Sequence, residues 1–522
     1  MRPGTLLLRA DASITIGTGH VMRCLALGQA WQDVGGRVIF ATADSPAAMR
    51  RRVTESSELA DISGQAGTAA DAIQIVELAK RNGCEWIAVD GYHFGEDYQR
   101  RLKERGFKVL LLDDYGHAAQ YIADLVLNQN VSARESLYAS RSPLTRLLLG
   151  PRYCLLRREF LSWRNWKREV SRTGRRVLVT MGGSDPENVT ARVIDALTRN
   201  GVEGLEAKVV VGGSNPHAEM LELLAVASGK RISVCRDVAN IAELMSWADV
   251  AVSSAGTTCW ELCLMALPSV LIDVAANQTA LARELDRRRC AIHVGGAKNF
   301  AAEQFTDQAQ KLLRDSESRW AMSVRCRELV DGLGSRRVVS AMLFGLRLRP
   351  VRGEDKFLLW EWANDPKVRA AAFSSAAISP EQHEVWFVGK MKDSNSLILI
   401  AEDDAGAAVG QFRVDWVSDE DGEIDVSVAS AFRGGGYGSM LIELGVAEVF
   451  AQKGTRLHAF VKTDNEFSRR AFERAGFANL GERKVREQRA IHYLRVRESG
   501  AAEGANGVSS NSSGASGTKN CS

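Results

Sequence analysis

One repeated pattern constrains the fold more than any other: a short apolar run, a loop of small or acidic residues, then a helical pattern. Residues 6–8 run into a loop holding Gly17-Thr-Gly19-His20, followed by a helix-like set at Met22, Leu25, Ala26, Gln29 and Ala30. Residues 38–42 read as a strand, 69–80 as a helix, 86–90 as a strand and 98–105 as a helix. Residues 109–113 and 125–127 are strands again. Such alternation predicts a parallel sheet with crossover helices. Two strands end in acids, Asp90-Gly-Tyr92-His93 and Asp113-Asp114-Tyr115. Ligands of open α/β sheets lie beyond the carboxyl ends of the strands. Helix caps account for these acids equally well.

The glycines at 17 and 19 let backbone approach a ligand, and the helix start offers unpaired N–H groups to an anion. His20 titrates near neutrality and could take a proton from water. Read alone, the loop is as much a plain turn as a site.

With 522 residues, two to four domains are expected. A net charge of +3 gives no strong field toward nucleic acid. The nine cysteines contain no C-x-x-C pair, and Cys259 and Cys263, a helical turn apart in an apolar stretch, suggest packing. A reducing, cytoplasmic setting is expected. No signal-like apolar segment opens the chain, and the stretch 263–276 is interrupted by Pro268 and Asp273, too short to span a bilayer. The eight histidines form no H-x-x-x-H pair beside an acid, so no metal site is expected.

Residues 155–175 are basic and carry Trp163 and Trp166, which reads as a linker between lobes. The alternation then resumes. Residues 177–181 lead into Gly182-Gly183-Ser184-Asp, 208–211 into Gly212-Gly-Ser, and 250–254 into Ala255-Gly256-Thr257-Thr258 with Glu261 in the helix beyond. Residues 269–273 lead to Asn277-Gln278. Repeated strand, small-residue loop and helix start make a diphosphate cradle.

These motifs together resemble the nucleotide-sugar hydrolases of pseudaminic acid biosynthesis, relatives of the two-lobed B-type glycosyltransferases, over about residues 1–345. The resemblance implies lobes at 1–155 and 156–345 and hydrolysis of UDP-2,4-diacetamido-2,4,6-trideoxy-β-L-altropyranose. It makes His20 the base that activates water, with Asn277 holding substrate or water and Glu261 the uridine ribose. Gly183, Ser184, Ala255, Gly256, Thr257 and Thr258 would receive the diphosphate. Gly17, Gly19, Arg23, Tyr92 and Gln278 complete the expected substrate contacts. Glu261 as a first-turn helix acid and Asn277 as an Asx-turn residue are the bland alternatives.

A third unit starts near residue 346. Asn364-Asp-Pro366 breaks an apolar helix, Ser379-Pro-Glu-Gln carries a capping signal, and 423–428 alternate strictly with Glu423, Asp425 and Ser427 on one face. Then follow Arg433-Gly434-Gly-Gly436-Tyr-Gly438-Ser439 and, later, Asn465-Glu-Phe-Ser-Arg-Arg-Ala-Phe472 with Gly476-Phe477. This pair of segments resembles the GNAT acetyltransferases over 346–498. The resemblance implies an α+β domain in which Val428, Arg433, Gly434, Gly436, Gly438, Ser439 and Asn465 bind acetyl-CoA. Many members carry a tyrosine acid where this chain has Phe472. Tyr493 is the substitute on offer, although packing suits it better, and Glu423 could relay the amine proton through water. Residues 499–522, almost without large apolar side chains, are expected to be disordered.

The two halves imply successive steps on one sugar, N-acetylation of a 4-amino UDP-sugar and then release of UDP. The partners implied are small UDP-sugars and other enzymes of that pathway, not nucleic acid or membrane. A glycosyltransferase, or a non-catalytic UDP-sugar-binding unit beside the acetyltransferase, are the rival readings.

Overall fold

The computed structural model describes residues 3–497 except 14, 15, 184, 200, 214, 230, 237, 404, 405, 435, 453 and 454. Ser184 and the segment 499–522 therefore lie outside the described residues.

The first sheet contains β1 (Thr5–Ala10), β2 (Arg37–Thr42), β3 (Glu58–Asp61), β4 (Cys84–Asp90), β5 (Lys108–Leu112), β6 (Leu125–Asn128) and β7 (Arg146–Leu149). Their order is β3-β2-β1-β4-β5-β6-β7, parallel throughout. The second holds β8 (Arg176–Thr180), β9 (Glu206–Val211), β10 (Arg231–Arg236), β11 (Val250–Ser254), β12 (Ser269–Asp273) and β13 (Ile292–Gly296). Its order is β10-β9-β8-β11-β12-β13, again parallel. Central strands such as β1, β11 and β12 are buried along their whole length. That is why they read as unbroken apolar runs, since helices cover both faces of a parallel sheet. The fold is mixed α/β, with two Rossmann-like lobes ahead of a third, mostly antiparallel domain.

Three details depart from the sequence reading. The helix expected over 98–105 runs Glu96–Lys103, because Gly95 caps it and Glu96 and Asp97 fill its first turn. The helix Gly19–Asp33 buries Val21, Arg23, Cys24, Leu25, Leu27 and Gly28, whereas Met22, Gln29 and Ala30 are only half-buried. It is covered from two sides, by the sheet and by the later helix Gly334–Phe344, so no single stripe describes it. The basic segment after residue 155 is a strap rather than a free linker. Arg168 donates to the carbonyls of Met245, Ala248 and Met265, Arg164 to Asp331 O, and Trp163 and Trp166 pack on the second lobe's core.

The chain returns to the first lobe through the helix Gly334–Phe344. An added Cβ on Gly334 would lie 2.1 Å from Cys154 O, and the Ser335 hydroxyl bonds both N and O of Leu156. Arg146 donates to Ala341 O at 2.8 Å.

The third sheet comprises β14 (Arg347–Pro350), β15 (Ser396–Glu402), β16 (Ala408–Trp416), β17 (Asp421–Val428), β18 (Arg456–Lys462), β19 (Ala478–Val485) and β20 (Gln488–Val496). Its order is β14-β15-β16-β17-β18-β20-β19. Only β17 and β18 are parallel, and they pair just over 421–423 and 456–458 before parting. The helix Tyr437–Gln452 packs on β16 and β17. At Gly445 an added Cβ would fall 2.2 Å from a Phe412 ring carbon. Gly445→Ala should therefore destabilise this domain by roughly 1–3 kcal/mol despite alanine's helix propensity. A thermal midpoint equal to or above wild type would show that Phe412 yields freely. Among the described residues no helix is long and apolar enough to cross a membrane.

Candidate active sites

In each parallel sheet the chain reverses its direction of winding between two central strands, β1 and β4 in the first and β8 and β11 in the second. Loops leaving such a switch point diverge and open a crevice. The loop to His20 leaves β1, and Asp90 ends β4. Gly182 and Gly183 follow β8, and 255–258 follow β11. The two crevices face each other: an added Cβ on Gly183 would meet Thr18 at 2.7 Å, and one on Gly19 would meet Thr257 at 3.6 Å. Gly17 and Gly182 turn with φ of 76° and 85°, a conformation that favours glycine.

His20 opens its helix, and its Nδ1 lies 2.6 Å from Asp90 Oδ1. Arg23, one turn further, donates Nε to Asp90 Oδ2 at 2.5 Å and Nη2 to Oδ1 at 2.7 Å. Its Nη1 reaches Asp114 Oδ1 at 2.7 Å. Burial alone would raise the Asp90 carboxyl, but Arg23 and His20 outweigh it and hold the pKa at about 2. An ionised Asp90 requires the proton of His20 on Nδ1, so Nε2 carries the lone pair. The Arg23 Nη2 contact with Nδ1, at 3.3 Å, is then proximity rather than a hydrogen bond.

Tyr92 sets its ring edge-on to His20 at 5.1 Å, donates its hydroxyl to Asp114 at 2.8 Å, and accepts from Asn277 Nδ2 at 3.1 Å. Asn277 belongs to the second lobe, so this bond crosses the cleft. Beside His20 lies a cavity of about 20 Å³ bordered by Asp11, Ile16, His20, Asp90, Tyr92 and Phe94, among others. That volume is large enough for a single water, in a mainly apolar recess with His20 at its edge.

Of the other expected substrate residues, Gln278 accepts from Val274 N at 3.1 Å and sets its amide near Gly256. Glu261 accepts from Arg157 at 2.8 Å, a strap residue that also pairs with Glu159. Arg23 is wholly engaged by the two acids. The sequence offers Asp90 and Asp114 as ligand-side or helix-capping acids but not as partners of His20 and Arg23, and Arg157 only as part of a basic linker.

In the third domain Val428 ends β17, well beyond the point after Glu423 where β17 and β18 part. Gly434 and Gly436 take φ of 82° and 90°, and the helix Tyr437–Gln452 follows at once. Arg433 donates Nε to Val428 O at 2.9 Å and Nη1 to Asp365 at 2.8 Å, bracing this loop. Asn465 caps the helix Glu466–Arg474, its side chain accepting from Ser468 N. Tyr493 is fully buried, stacked on Phe472, and donates to Glu473 at 2.9 Å. Glu423 is exposed and in register with His458 across the last paired positions of β17 and β18. His458 in turn joins Asp421 and His492, each at 2.9 Å. That polar chain was not foreseen. Nothing in the sequence pairs His458 with Asp421 or His492, which lie 37 and 34 residues away.

Two family models match the chain. The glycosyltransferase family 28 C-terminal domain covers residues 176–328, and the acetyltransferase (GNAT) domain covers 345–478. The chain thus joins a family-28-like unit to a GNAT domain. An uncharacterized protein of Methanocaldococcus jannaschii is 22% identical over 93% of this chain and 99% of its own length. The UDP-2,4-diacetamido-2,4,6-trideoxy-beta-L-altropyranose hydrolase of Campylobacter jejuni is 25% identical over 54% of this chain and 96% of its own. The spore coat polysaccharide biosynthesis protein SpsG of Bacillus subtilis is 25% identical over 46% of this chain and 70% of its own.

Proposed function

We propose that the chain is a bifunctional nucleotide-sugar enzyme. The two lobes hydrolyse UDP-2,4-diacetamido-2,4,6-trideoxy-β-L-altropyranose to the free sugar and UDP. The GNAT domain uses acetyl-CoA to N-acetylate the 4-amino precursor. The observation that carries the first activity is the His20–Asp90 pair beside a water-sized cavity, facing the second lobe's loops.

In this reading His20 Nε2 takes a proton from water as the water oxygen attacks the anomeric carbon. The bond from that carbon to the diphosphate oxygen breaks, and UDP departs against backbone N–H groups of 182–183 and 255–258. Fixed donors at the leaving group act where charge develops, so one base suffices. Asn277, held by Tyr92, lies at the cleft on the sugar side, and Glu261 serves the ribose. In the third domain the amine attacks the thioester carbonyl, the C–S bond breaks with coenzyme A leaving as the thiolate that solvent protonates, and the amine proton leaves through water toward Glu423. Bound acetyl-CoA supplies the activated acyl group. The backbone from Val428 and from Gly434, Gly436, Gly438 and Ser439 would hold its pyrophosphate.

The test is incubation of pure protein with the 4-amino UDP-sugar and acetyl-CoA, following both products by mass spectrometry. Acetylation followed by UDP release is expected. His20→Ala should abolish release and spare acetylation. UDP appearing only when a sugar acceptor is added would make the two-lobed unit a glycosyltransferase instead.

A further inference from the structure

The acetyl-CoA loop does not rest on its own domain alone. Of its two described left-handed glycines, Gly434 has nothing within 4 Å of where a Cβ would stand, whereas Gly436 faces the Phe344 ring tip, Cζ at 3.0 Å. Phe344 is the last residue of the helix Gly334–Phe344, which packs on the His20 helix of the first lobe. Its ring lies 4.8 Å from that of Tyr437, and Tyr437 lies 5.3 Å from Phe432, so three rings bracket the loop. Further along, buried Glu443 of the helix Tyr437–Gln452 faces Arg337 of the same returning helix at 3.7 Å, and Arg337 is forked by Asp331. The helix that begins at the loop is therefore held against the two-lobed unit at its start and again beyond its first turn.

We propose that Phe344 is a positioning residue for the acetyl-CoA loop, so that the acetyltransferase's cofactor site is built partly on the two-lobed unit. The proposal rests on the reading of 433–439 as the pyrophosphate loop. A glycine-rich loop loses much backbone freedom when its N–H groups converge on an anion. A ring seated under Gly436 restricts that freedom before the ligand arrives, and preorganisation of this kind appears in affinity for the ligand rather than in the chemical step.

Steady-state acetylation by the full-length chain tests this. Phe344→Ala should raise KM for acetyl-CoA by about tenfold, with kcat and the acceptor KM within about twofold. UDP release should be unchanged, which reports an intact two-lobed unit. Phe344→Met, which refills part of the space, should fall between. Phe344→Tyr is the sharper variant, because its hydroxyl would project from the atom that touches Gly436. It should also raise KM, whereas a ring that only fills core would tolerate it. An unchanged acetyl-CoA KM in either Phe344→Ala or Phe344→Tyr overturns the proposal. Failure of the wild-type chain to bind acetyl-CoA in calorimetry overturns the acetyltransferase reading beneath it.

Discussion

Asp90→Asn should lower the rate of UDP release by about 10²- to 10⁴-fold while leaving acetylation untouched. In the native site one carboxylate serves several donors. Oδ2 accepts from Arg23 Nε and Cys24 Sγ, and Oδ1 accepts from Arg23 Nη2 and His20 Nδ1. An asparagine has one acceptor oxygen for these positions. With its NH₂ toward His20, the imidazole must switch tautomer and carry its proton on Nε2, where it cannot accept one from water. With its NH₂ toward Arg23, two donors meet. Either way the charge that would stabilise the imidazolium formed during attack is gone. KM for the UDP-sugar should move far less than kcat, since Asp90 lies behind His20 and is buried. Because its neighbours hold the Asp90 pKa at about 2, it stays ionised throughout the neutral range. An acid limb in the wild-type profile between pH 5 and 7 therefore cannot be assigned to Asp90. A variant retaining a third or more of the wild-type rate would remove Asp90 from the mechanism.

How far this site was legible depended on whether its partners were close in sequence. His20 and its glycines were visible because strand, loop and helix start are contiguous. Their place at a switch point follows from the strand order, which the alternation alone does not state. Asp90 was visible as an acid ending a strand, but not as the partner of His20, 70 residues away. The family resemblance makes Arg23 a substrate contact. The structure turns it inward because two acids at the ends of neighbouring strands offer it buried partners. The strap misled for a related reason: arginines and tryptophans look like exposed linker until carbonyls at the edge of the second lobe are there to receive them. In the third domain the glycine loop and the Ser379 helix cap are local features and legible, whereas Asn465 reads from the resemblance as a cofactor contact and its capping of the helix Glu466–Arg474 comes from the structure. The His458–His492 contact and the seat of Gly436 on Phe344 are pairings across strands and between domains, and one sequence carries no record of those.

Arg23 leads to the second large expectation. It is 4% exposed and stands between Asp90 and Asp114, which Asn130 and Tyr92 also engage. Arg23→Met keeps the apolar stem and removes the cation, leaving the buried Asp90 carboxylate and the half-buried Asp114 carboxylate facing an uncharged side chain. Breaking a buried ion pair from one side costs about 3–5 kcal/mol, because the remaining charge has lost its solvation and its partner. The pH dependence gives a sharper reading than the midpoint. In the wild type Arg23 holds both acids below the ordinary carboxylate value, against the pull of burial. Their contribution is therefore present above the unfolded value near 4 and is lost as pH falls toward 2. Without Arg23, burial and the repulsion between the two acids are opposed only by His20 and by the hydrogen bonds from Tyr92 and Asn130, so the folded carboxyls titrate well above their wild-type values. Relative to the wild type the pH trend reverses: the variant's folded state holds a proton more readily, and its stability falls against wild type as pH rises from about 4 toward neutrality. Thermal midpoints at pH 4.5 and 7.5 should thus show Arg23→Met losing more against wild type at the higher pH. Arg23→Lys, which keeps the charge but not the fork, should show a much smaller reversal. An equal loss for Arg23→Met at both values would mean that water reaches the acids once the guanidinium is gone, and that the pair is less buried in solution than its geometry implies.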